Sequence, residues 1–373
     1  MRRREGSPTA APPGVNVNLV SANRTLTALR RNGRLRAQLL SGAGILAGVG
    51  AGLASYAYFR EPLRVSLDKL TIRLPNAQRH LPAAGLRILH LTDTHFRGLD
   101  WREKAKIDAI RHACAGLDYD LLVHTGDFLH DDGGLGNVLD LLDALPAPRL
   151  GAFAVFGNHD YTTYSANQLL NRSWTAFCAL ENGNRPRGKA APWQEAARLV
   201  RFGRFLANVP FDLKRTGHND VSRLQDELVA RNFQILHNRA VRLAHKPGEG
   251  DGVDLFIAGV DDFTEGLPDL GKALAEVPPA APTLLLSHNP DILSEPAVSR
   301  ADLVLSGHTH GGQIVLPWYG PAHTHTEHLA RHEASGYLRR GRTQVFISRG
   351  VGEGIPLRFG ASPQITLLTL LPE

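Results

Sequence analysis

Five short polar clusters occur along this chain, and each directly follows a run of aliphatic residues. They are Asp93-Thr94-His95, Gly126-Asp127, Gly157-Asn158-His159-Asp160, Ser287-His288 and Gly307-His308-Thr309-His310. Carboxylate, carboxamide and imidazole groups without thiolates suit Mn²⁺, Fe or Zn²⁺ rather than copper or an iron–sulfur cluster. Two such ions that share a carboxylate can clamp a phosphoryl group and activate water at neutral pH. The clusters therefore predict a site for two divalent ions whose identity stays open.

Each cluster is weak evidence when it is taken alone. A lone Gly-Asn-His-Asp is usually a polar turn, and a lone Gly-His-Thr-His is more often a loop than a pair of ligands. The informative feature is that all five follow strand-like runs in one chain. Glycines directly before Asp127, Asn158 and His308 also suit sharp turns, where the backbone must come close to a site.

The elements that would position these clusters alternate between strands and helices. Aliphatic runs predict strands at 86–92, 120–125, 152–156, 255–260, 283–287, 302–306, 344–348 and 364–371. Helical patterns lie at 101–115, 135–145, 221–230 and 267–277. This alternation predicts an α/β domain. In open α/β sheets the ligand site forms just past the carboxyl ends of strands, which is where the clusters stand.

The clusters resemble the motif set of the calcineurin-like metallophosphoesterases over about residues 86–371. The resemblance implies the αββα sandwich of the metallo-dependent phosphatases. It implies that one ion is held by Asp93, His95, Asp127 and His310. It implies that the other is held by Asp127, Asn158, His288 and His308. It also implies that His159 contacts phosphate and assists the leaving group, and that Asp160 orients His159.

Other stretches narrow the resemblance to one branch of the family. The segments LSHNPDI, SGHTHGGQIVLP, FISRGVG, PLRFG and PQITLLTL look like the membrane-associated branch that includes UDP-2,3-diacylglucosamine pyrophosphatase-type enzymes. This likeness implies a lipid-linked phosphoester as substrate. Arg349 follows a predicted strand and is a candidate phosphate contact, because a guanidinium can bind two phosphate oxygens at once. A structural ion pair is an equally good interpretation of Arg349.

The basic character of the chain is confined to its N-terminus. Residues 1–36 carry a formal charge of +7 and the remainder carries −1. The catalytic part therefore offers no long basic groove, and no nucleic-acid partner is expected. Residues 1–36 are predicted to be a basic, disordered tail.

An uncharged segment, 37–59, follows this tail and is long enough to cross a bilayer as a helix. We expect it to be a transmembrane anchor, with a signal peptide, uncleaved or cleaved, as the alternative. The arginines before it predict a cytoplasmic N-terminus, an inner-membrane bilayer as partner, and an extracytoplasmic catalytic domain. Residues 60–85 are predicted to be a linker with the first strand, and 86–373 the metallophosphoesterase domain.

Two stretches depart from the family pattern. Residues 165–220 form an insertion, in which 192–206 predict a basic amphipathic helix that would either guide a lipid substrate or pack with solvated arginines. The second stretch contains His323, His325, His328 and His332. These histidines could add ligands, but a loop beside the site is the preferred interpretation, because seven ligands already complete two sites.

Together these observations predict metal-assisted hydrolysis of a phosphodiester or pyrophosphate bond. The favoured substrate is lipid-linked, such as a UDP-diacylglucosamine-type molecule, and no covalent phosphoenzyme is expected. An extracytoplasmic phosphatase or phosphodiesterase acting on nucleotides or wall polymers is the main rival, because an extracytoplasmic domain would not meet a cytoplasmic UDP-lipid. A metal-binding pseudoenzyme is the alternative of another class. The sequence indicates no oligomeric state.

Overall fold

The computed structural model describes residues 33–75, 77–98, 101–165, 176–180, 198, 201–202, 214–245 and 252–373. The chain divides into two compact units, Met1–Ser55 and Tyr56–Glu373. The predicted disordered tail, 1–36, lies outside the described residues except for its last four, which begin a helix.

That helix, α1 (Gly33–Phe59), covers the segment 37–59 that the sequence predicts to be a membrane anchor. In the described part of the chain, no helix combines the length and the apolar character that a membrane span needs. The predicted helix is confirmed, and the predicted transmembrane span is not.

The second unit alternates strands with helices. Its strands are β1 (Ser66–Leu74), β2 (Leu86–Leu91), β3 (Leu121–Thr125), β4 (Gly151–Val155), β5 (Thr162–Ser165), β6 (Lys214–His218), β7 (Phe233–Ile235), β8 (Arg239–His245), β9 (Val253–Gly259), β10 (Thr283–Leu286), β11 (Leu303–Ser306), β12 (Val315–Leu316), β13 (Gly320–Pro321), β14 (Gly336–Arg340), β15 (Thr343–Ile347) and β16 (Gln364–Pro372). Its helices include α2 (Trp101–Cys114), α3 (Leu135–Asp143), α4 (Asn158–Tyr161), α5 (Val221–Ala230) and α6 (Leu270–Ala273).

Two six-stranded sheets form the centre of this unit. The first has the order β1-β16-β2-β3-β4-β7, and the second has the order β14-β15-β11-β10-β9-β8. Strands β2, β3 and β4 are parallel neighbours in the first sheet, and β9, β10, β11 and β15 are parallel neighbours in the second. Parallel strands are normally covered on both faces, and β10 and β11 are accordingly buried at every position.

Apolar side chains fill three layers of packing around the two sheets. Ile88 of the first sheet and Leu286 of the second belong to the core between the sheets. Ile110 of α2 packs in the core on the outer face of the first sheet. Leu270 of α6 packs in the core on the outer face of the second sheet. This arrangement is an αββα sandwich, as the family resemblance implies.

The predicted strands and three of the four predicted helices are present, whereas one helix is shortened and two polar edge strands are missing from the prediction. Each of the eight predicted strands is present within two residues of its predicted bounds. The helix predicted at 267–277 is reduced to α6, which starts late because Asp269 caps it by accepting a hydrogen bond from the Lys272 N–H at 2.8 Å. Strands β8 and β14 were not predicted, because they are sheet edges with polar, half-exposed sequences.

Strand β1 changes the interpretation of residues 60–85. It pairs with β16 along nine residues, from Ser66 opposite Gln364 to Leu74 opposite Pro372. Ile72, Leu74 and Leu81 are buried in the core between the sheets. The segment is therefore part of the sandwich and not only a linker to it.

Candidate metal centre

The predicted ligands converge where strands of both sheets end. Strands β2, β3 and β4 of the first sheet lead directly into Asp93, Asp127 and Asn158. Strands β10 and β11 of the second sheet lead directly into His288 and His308. The carboxyl ends of parallel strands meet at one edge, so short turns deliver these side chains to a common place. The structure brings together all seven predicted ligands, namely Asp93, His95, Asp127, Asn158, His288, His308 and His310.

One set of donor atoms surrounds the Nε2 atom of His95. This nitrogen lies 3.2 Å from Asp127 Oδ2, 3.8 Å from Asp93 Oδ1 and 3.1 Å from His310 Nε2. His310 Nε2 is in turn 3.7 Å from Asp93 Oδ1. The four side chains therefore point their donor atoms at one small volume.

A second set surrounds the Nδ1 atom of His308. This nitrogen lies 3.1 Å from Asn158 Oδ1 and 3.2 Å from His288 Nε2. His288 Nε2 lies 3.2 Å from Asp127 Oδ2, the same oxygen that His95 approaches. Asp127 thus stands between the two sets.

The distances between the donor atoms are those expected of ligands that share a divalent metal ion. Ligands about 2.1 Å from one ion and at right angles to each other lie about 3.0 Å apart, close to the nitrogen–nitrogen spacings of both sets. Three-residue groups of possible ligands occur at Asp93, His95 and His310, and at Asp93, Asp127 and His288. The chemistry of the donors, all nitrogen or oxygen, suits Mn²⁺, Fe or Zn²⁺.

In two of the histidines, a hydrogen bond to a backbone carbonyl determines which ring nitrogen is available to a metal ion. His288 Nδ1 lies 2.8 Å from the Thr125 carbonyl oxygen, and His308 Nε2 lies 3.0 Å from the His325 carbonyl oxygen. A carbonyl can only accept, so these nitrogens carry hydrogen. When the ring is neutral, its opposite nitrogen holds a lone pair that faces the site, an arrangement typical of metal-binding histidines.

Five of the seven ligands have a left-handed backbone conformation. Their φ angles are 51° at Asp93, 46° at His95, 55° at Asp127, 70° at His308 and 50° at His310. A left-handed conformation costs an L-residue about 1–2 kcal/mol. Such strain concentrates at functional sites, where the surrounding structure enforces it. Here it occurs at five of the seven candidate ligands, all of which follow the ends of strands.

The glycines of the clusters allow the ligand turns to touch. A Cβ atom at Gly157 would overlap the Asp127 carboxylate, and a Cβ atom at Gly307 would overlap the Asp93 carboxylate. The close backbone approach that the sequence predicts is therefore confirmed at these two positions.

The shared carboxylate of Asp127 is held in its charged form. Burial alone favours the neutral acid, but His288 and His95 outweigh it and hold the pKa of Asp127 well below its usual value. The Oδ1 atom accepts a hydrogen bond from the His159 backbone N–H at 2.8 Å, which leaves Oδ2 for the two ligand sets. The backbone of His159 thus orients the carboxylate that joins the sets.

Asp160 has a different contact from the one predicted. Its carboxylate accepts hydrogen bonds from the backbone N–H groups of Asp127, Leu129 and Gly157, at 2.8, 3.1 and 2.9 Å. The reason is local, because Asp160 is the third residue of α4 and turns back to cap its start. Meanwhile His159 Nδ1 has no hydrogen-bond partner among the described residues. Asp160 stabilises the Asp127 turn and does not orient the His159 ring.

The His159 ring stands beside the first ligand set. Its centroid lies 4.5 Å from that of His95, 4.9 Å from that of His130 and 4.6 Å from that of Tyr164. Burial, together with the neighbouring histidines, lowers the pKa of His159 well below its usual value, although Asp127 opposes this. The ring is therefore neutral at neutral pH in the metal-free chain.

Tyr164 is a site residue that the sequence analysis missed. Its hydroxyl donates a hydrogen bond to Glu265, and the neighbouring Asn158 side chain lowers the pKa of that hydroxyl against the larger effect of burial. Asn158 presents its oxygen to His308 Nδ1 at 3.1 Å, so we expect its amide nitrogen to face Tyr164. Tyr164 and Glu265 come from separate loops outside the five clusters, so no motif spacing marks them.

We expect Tyr164→Phe to weaken metal binding selectively in the set that contains Asn158. Loss of a group that orients a ligand typically lowers metal affinity about 10–100-fold. Metal titration followed by elemental analysis measures the number of ions bound per chain, which should fall as the set that contains Asn158 loses affinity. Tyr161→Phe is the matched control, because the Tyr161 hydroxyl donates to Asp261 at 2.6 Å. Equal metal loss in the two variants would contradict the role of Tyr164.

Metal binding is expected to release protons from the site. Burial opposes the charged ring of His288, yet the Asp127 and Asp93 carboxylates raise its pKa to about 10. The metal-free ring is therefore protonated at neutral pH, whereas an ion binds only the neutral ring. Affinity should rise with pH up to that pKa, by about tenfold per pH unit for one proton. Calorimetry in two buffers of different ionisation enthalpy counts the protons, and a pH-independent affinity would disprove this linkage.

A cavity of about 690 Å³ opens onto the ligands. Polar wall residues include His159, Tyr164, Arg215 and Glu265, and apolar ones include Phe263, Ile314 and Ile355. His323 and His325 also line it, so the histidine-rich run forms part of the wall. His325 contributes its carbonyl to His308, as described above, and its ring lies in the wall.

Two predicted substrate contacts lie elsewhere or outside the described residues. Arg349 pairs with Asp68 of β1 at 3.3 Å, donates to the Ser362 carbonyl at 3.0 Å, and is not among the residues that line the cavity. Most of the predicted amphipathic helix at 192–206 falls outside the described residues. Within the described part, the Phe202 ring lies 5.3 Å from that of Phe177.

Comparison with known proteins identifies the family. The model of the calcineurin-like phosphoesterase family matches residues 86–312, which carry all seven candidate ligands. The chain belongs to this family. It is 32% identical over 331 residues to UDP-2,3-diacylglucosamine pyrophosphatase LpxG of Chlamydia muridarum, covering 85% of this chain and 93% of that protein. As a calcineurin-like phosphoesterase, the chain is a metal-dependent phosphoric ester hydrolase.

Two further relatives are similar over comparable lengths. LpxG of Chlamydia trachomatis is 30% identical over 329 residues, covering 85% of this chain and 93% of that protein. The uncharacterized metallophosphoesterase YkuE of Bacillus subtilis is 26% identical over 335 residues, covering 89% of this chain and 93% of that protein. The similarity therefore extends well beyond the ligand motifs.

Proposed function

We propose that this calcineurin-like phosphoesterase hydrolyses a phosphodiester or pyrophosphate bond of a lipid-linked substrate, such as a UDP-diacylglucosamine-type molecule. The observation that carries the proposal is the shared Asp127 Oδ2 atom, which lies 3.2 Å from both His95 Nε2 and His288 Nε2. One carboxylate oxygen between two sets of donors is the arrangement that two ions acting on one phosphoryl group require. Similarity to LpxG along most of both chains supports the substrate class.

The two donor sets would hold one divalent ion each, with Mn²⁺, Fe and Zn²⁺ as the candidates. The first set is Asp93, His95, Asp127 and His310. The second set is Asp127, Asn158, His288 and His308. Bound ions supply positive charge for the phosphate oxygens and lower the pKa of water.

The role we propose for His159 follows from its position. Its backbone N–H holds the Asp127 carboxylate, whereas its ring lines the cavity, and its buried Nδ1 atom has no hydrogen-bond partner in the part of the chain that the structure describes. The ring can therefore hydrogen-bond a phosphate oxygen or the oxygen that departs, and can hold a proton there. Asp160 supports this role indirectly by fixing the turn that carries Asp127.

The walls of the cavity suit a substrate with an anionic head and an apolar part. The Arg215 guanidinium donates through Nε to Glu265 at 2.8 Å, and its side chain is otherwise largely exposed at the cavity. Its other N–H groups can face an anionic phosphate. Phe263, Ile314 and Ile355 supply apolar wall. Ligand sites of this kind commonly occupy about 300–1,000 Å³, a range that includes this cavity.

The proposal is tested by offering the full chain, loaded with Mn²⁺, a UDP-diacylglucosamine-type lipid in mixed micelles. Cleavage of the pyrophosphate bond would yield UMP and the lipid 1-phosphate, which mass spectrometry separates. Bis(p-nitrophenyl) phosphate and a nucleotide monophosphate serve as soluble comparisons, and Asp127→Asn controls for contaminating enzymes. If kcat/KM for the lipid is no higher than for the soluble esters, the proposed lipid substrate is wrong, and only the proposed hydrolysis of phosphoric esters is supported.

The side of the membrane on which the enzyme works bears on the rival function. The arginine-rich N-terminus favours an extracytoplasmic catalytic domain, and that location would favour the rival substrates, nucleotides or wall polymers, over a cytoplasmic UDP-lipid. A reporter fused after Glu373 gives the location directly. Reporter activity on the cytoplasmic side would remove this rival and favour the UDP-lipid.

A further inference from the structure

A short hairpin beside the cavity presents three large apolar side chains to solvent. The hairpin, residues 315–321, consists of β12, a turn and β13. Leu316 is 43% exposed, Tyr319 is 55% exposed, and Trp318 is completely exposed at 104%. Single exposed apolar residues are ordinary on protein surfaces, but three within four positions form a patch.

The backbone holds Trp318 in an unfavourable conformation. Its φ angle is 62°, in the left-handed region that a bulky residue rarely adopts. Its fully exposed indole gains no burial within the chain to offset this cost. The conformation places a large aromatic side chain outward at the tip of the hairpin.

The hairpin is fastened to the wall of the cavity. Ile314 and Ala322, which flank it on either side, both line the cavity. The Ala322 N–H donates to the Ile314 carbonyl at 2.7 Å, and the Val315 N–H donates to the Phe359 carbonyl at 2.6 Å. Whatever the tip of the hairpin contacts is therefore brought to the neighbourhood of the metal centre.

A cation accompanies the aromatic residues. The Arg331 guanidinium lies 4.7 Å from the centre of the Tyr319 ring and donates to the Pro321 carbonyl at 3.2 Å. An exposed Trp and Tyr beside an Arg are the residues that favour the interface between lipid head groups and acyl chains. The positive charge complements an anionic lipid surface.

We propose that hairpin 315–321 inserts into the head-group region of an anionic lipid bilayer and so docks the mouth of the cavity on the membrane. This inference rests on the proposed lipid-linked substrate, whose acyl chains lie in such a bilayer. A stable protein interface needs about 800 Å² from each partner, more than three side chains can supply. Shallow insertion into a bilayer needs only a small apolar patch and a nearby cation.

The first test measures the depth of Trp318 without any enzyme assay. The substitutions Trp101→Phe, Trp174→Phe and Trp193→Phe leave Trp318 as the only tryptophan of the full chain. Vesicles of phosphatidylcholine with phosphatidylglycerol should shift its emission to the blue, and brominated acyl chains should quench it. A matched variant that retains only Trp101, which is 58% exposed on α2, should show neither effect. Equal quenching of the two variants would overturn the proposal.

The second test uses Trp318→Glu in the otherwise unchanged chain. Burial of one large aromatic side chain in a bilayer raises the vesicle partition coefficient by about tenfold to a hundredfold. The part of the vesicle affinity that comes from the hairpin should therefore fall by that factor. Trp101→Glu is the control and should bind vesicles as the unchanged chain does.

Activity separates this proposal from the proposed function. Trp318→Glu should hydrolyse vesicle-borne substrate more slowly and the soluble diester at the unchanged rate. If the unchanged chain cleaves only soluble esters, the proposed function fails while the fluorescence result stands. Quenching of Trp318 that depends on protein concentration and not on lipid would overturn the membrane proposal in favour of a second copy of the chain.

Discussion

Asp127→Asn is expected to lower kcat by about a thousandfold or more, equivalent to about 4 kcal/mol in the activation barrier. The substitution keeps the size of the side chain and removes the charge that His95 and His288 both approach at 3.2 Å. Both donor sets then lose their only common anion, so neither ion is bound as before and the spacing between the ions is no longer fixed. Steady-state kinetics with saturating Mn²⁺, together with elemental analysis, measures the two effects.

Asp131→Asn is the matched control for this experiment. Asp131 lies four residues further along the same loop, and its carboxylate accepts a hydrogen bond from the Gly133 N–H at 3.0 Å instead of facing the site. The control should keep its activity and lose at most about 1 kcal/mol of folding stability through a weaker cap. An Asp127→Asn variant with full metal content and more than a tenth of the normal kcat would show that Asp127 is not the shared ligand.

His159→Gln should slow the reaction and leave the metal content unchanged. A positioned acid or base contributes about 10²–10⁴-fold to catalysis, and kcat should fall by a factor in this range. Metal content should stay normal, because the contact with Asp127 comes from the backbone N–H of residue 159, which glutamine retains. The pH–rate profile should lose one ionisation, and elemental analysis reports the bound metal.

His130→Gln tests whether the effect belongs to position 159. The His130 ring lies 4.9 Å from that of His159 and is buried among the same neighbours, but it does not line the cavity. It should change kcat much less than the His159 substitution. A collapse of metal content in His159→Gln would reassign His159 from phosphate contact to metal binding.

The seven candidate ligands could be found from the sequence because each is local to the end of a strand. A buried aliphatic strand, a glycine and a polar residue are adjacent in sequence, so the turn after β3 or β4 is encoded within a few positions. Topology then brings such turns together, because parallel strands share one edge. The same reasoning predicted the buried strands, whose two covered faces demand aliphatic side chains.

The contacts that sequence reasoning missed depend on competition between partners. Asp160 could have oriented His159, but three backbone N–H groups at the start of α4 take its carboxylate instead. Arg349 could have reached phosphate, but Asp68 of β1 lies within 3.3 Å. Tyr164 influences the site beside Asn158 while Glu265, a hundred residues away, accepts its hydroxyl hydrogen. Which partner each side chain binds depends on the three-dimensional fold, so the spacing of residues in the sequence does not predict it.

The two donor sets draw on both sheets of the sandwich, with Asp127 and Asn158 delivered by the first and His288 and His308 by the second. Bound ions would therefore act as cross-links between the two halves of the core. Metal binding and sheet packing are thermodynamically linked. The free energy by which bound metal stabilises the packed sheets therefore equals the free energy by which packing of the sheets strengthens metal binding. A cavity-forming substitution between the sheets, at Ile88 or Leu286, would then lower metal affinity without replacing a ligand. The packing between the two sheets thus contributes to metal affinity, in addition to the ligands themselves.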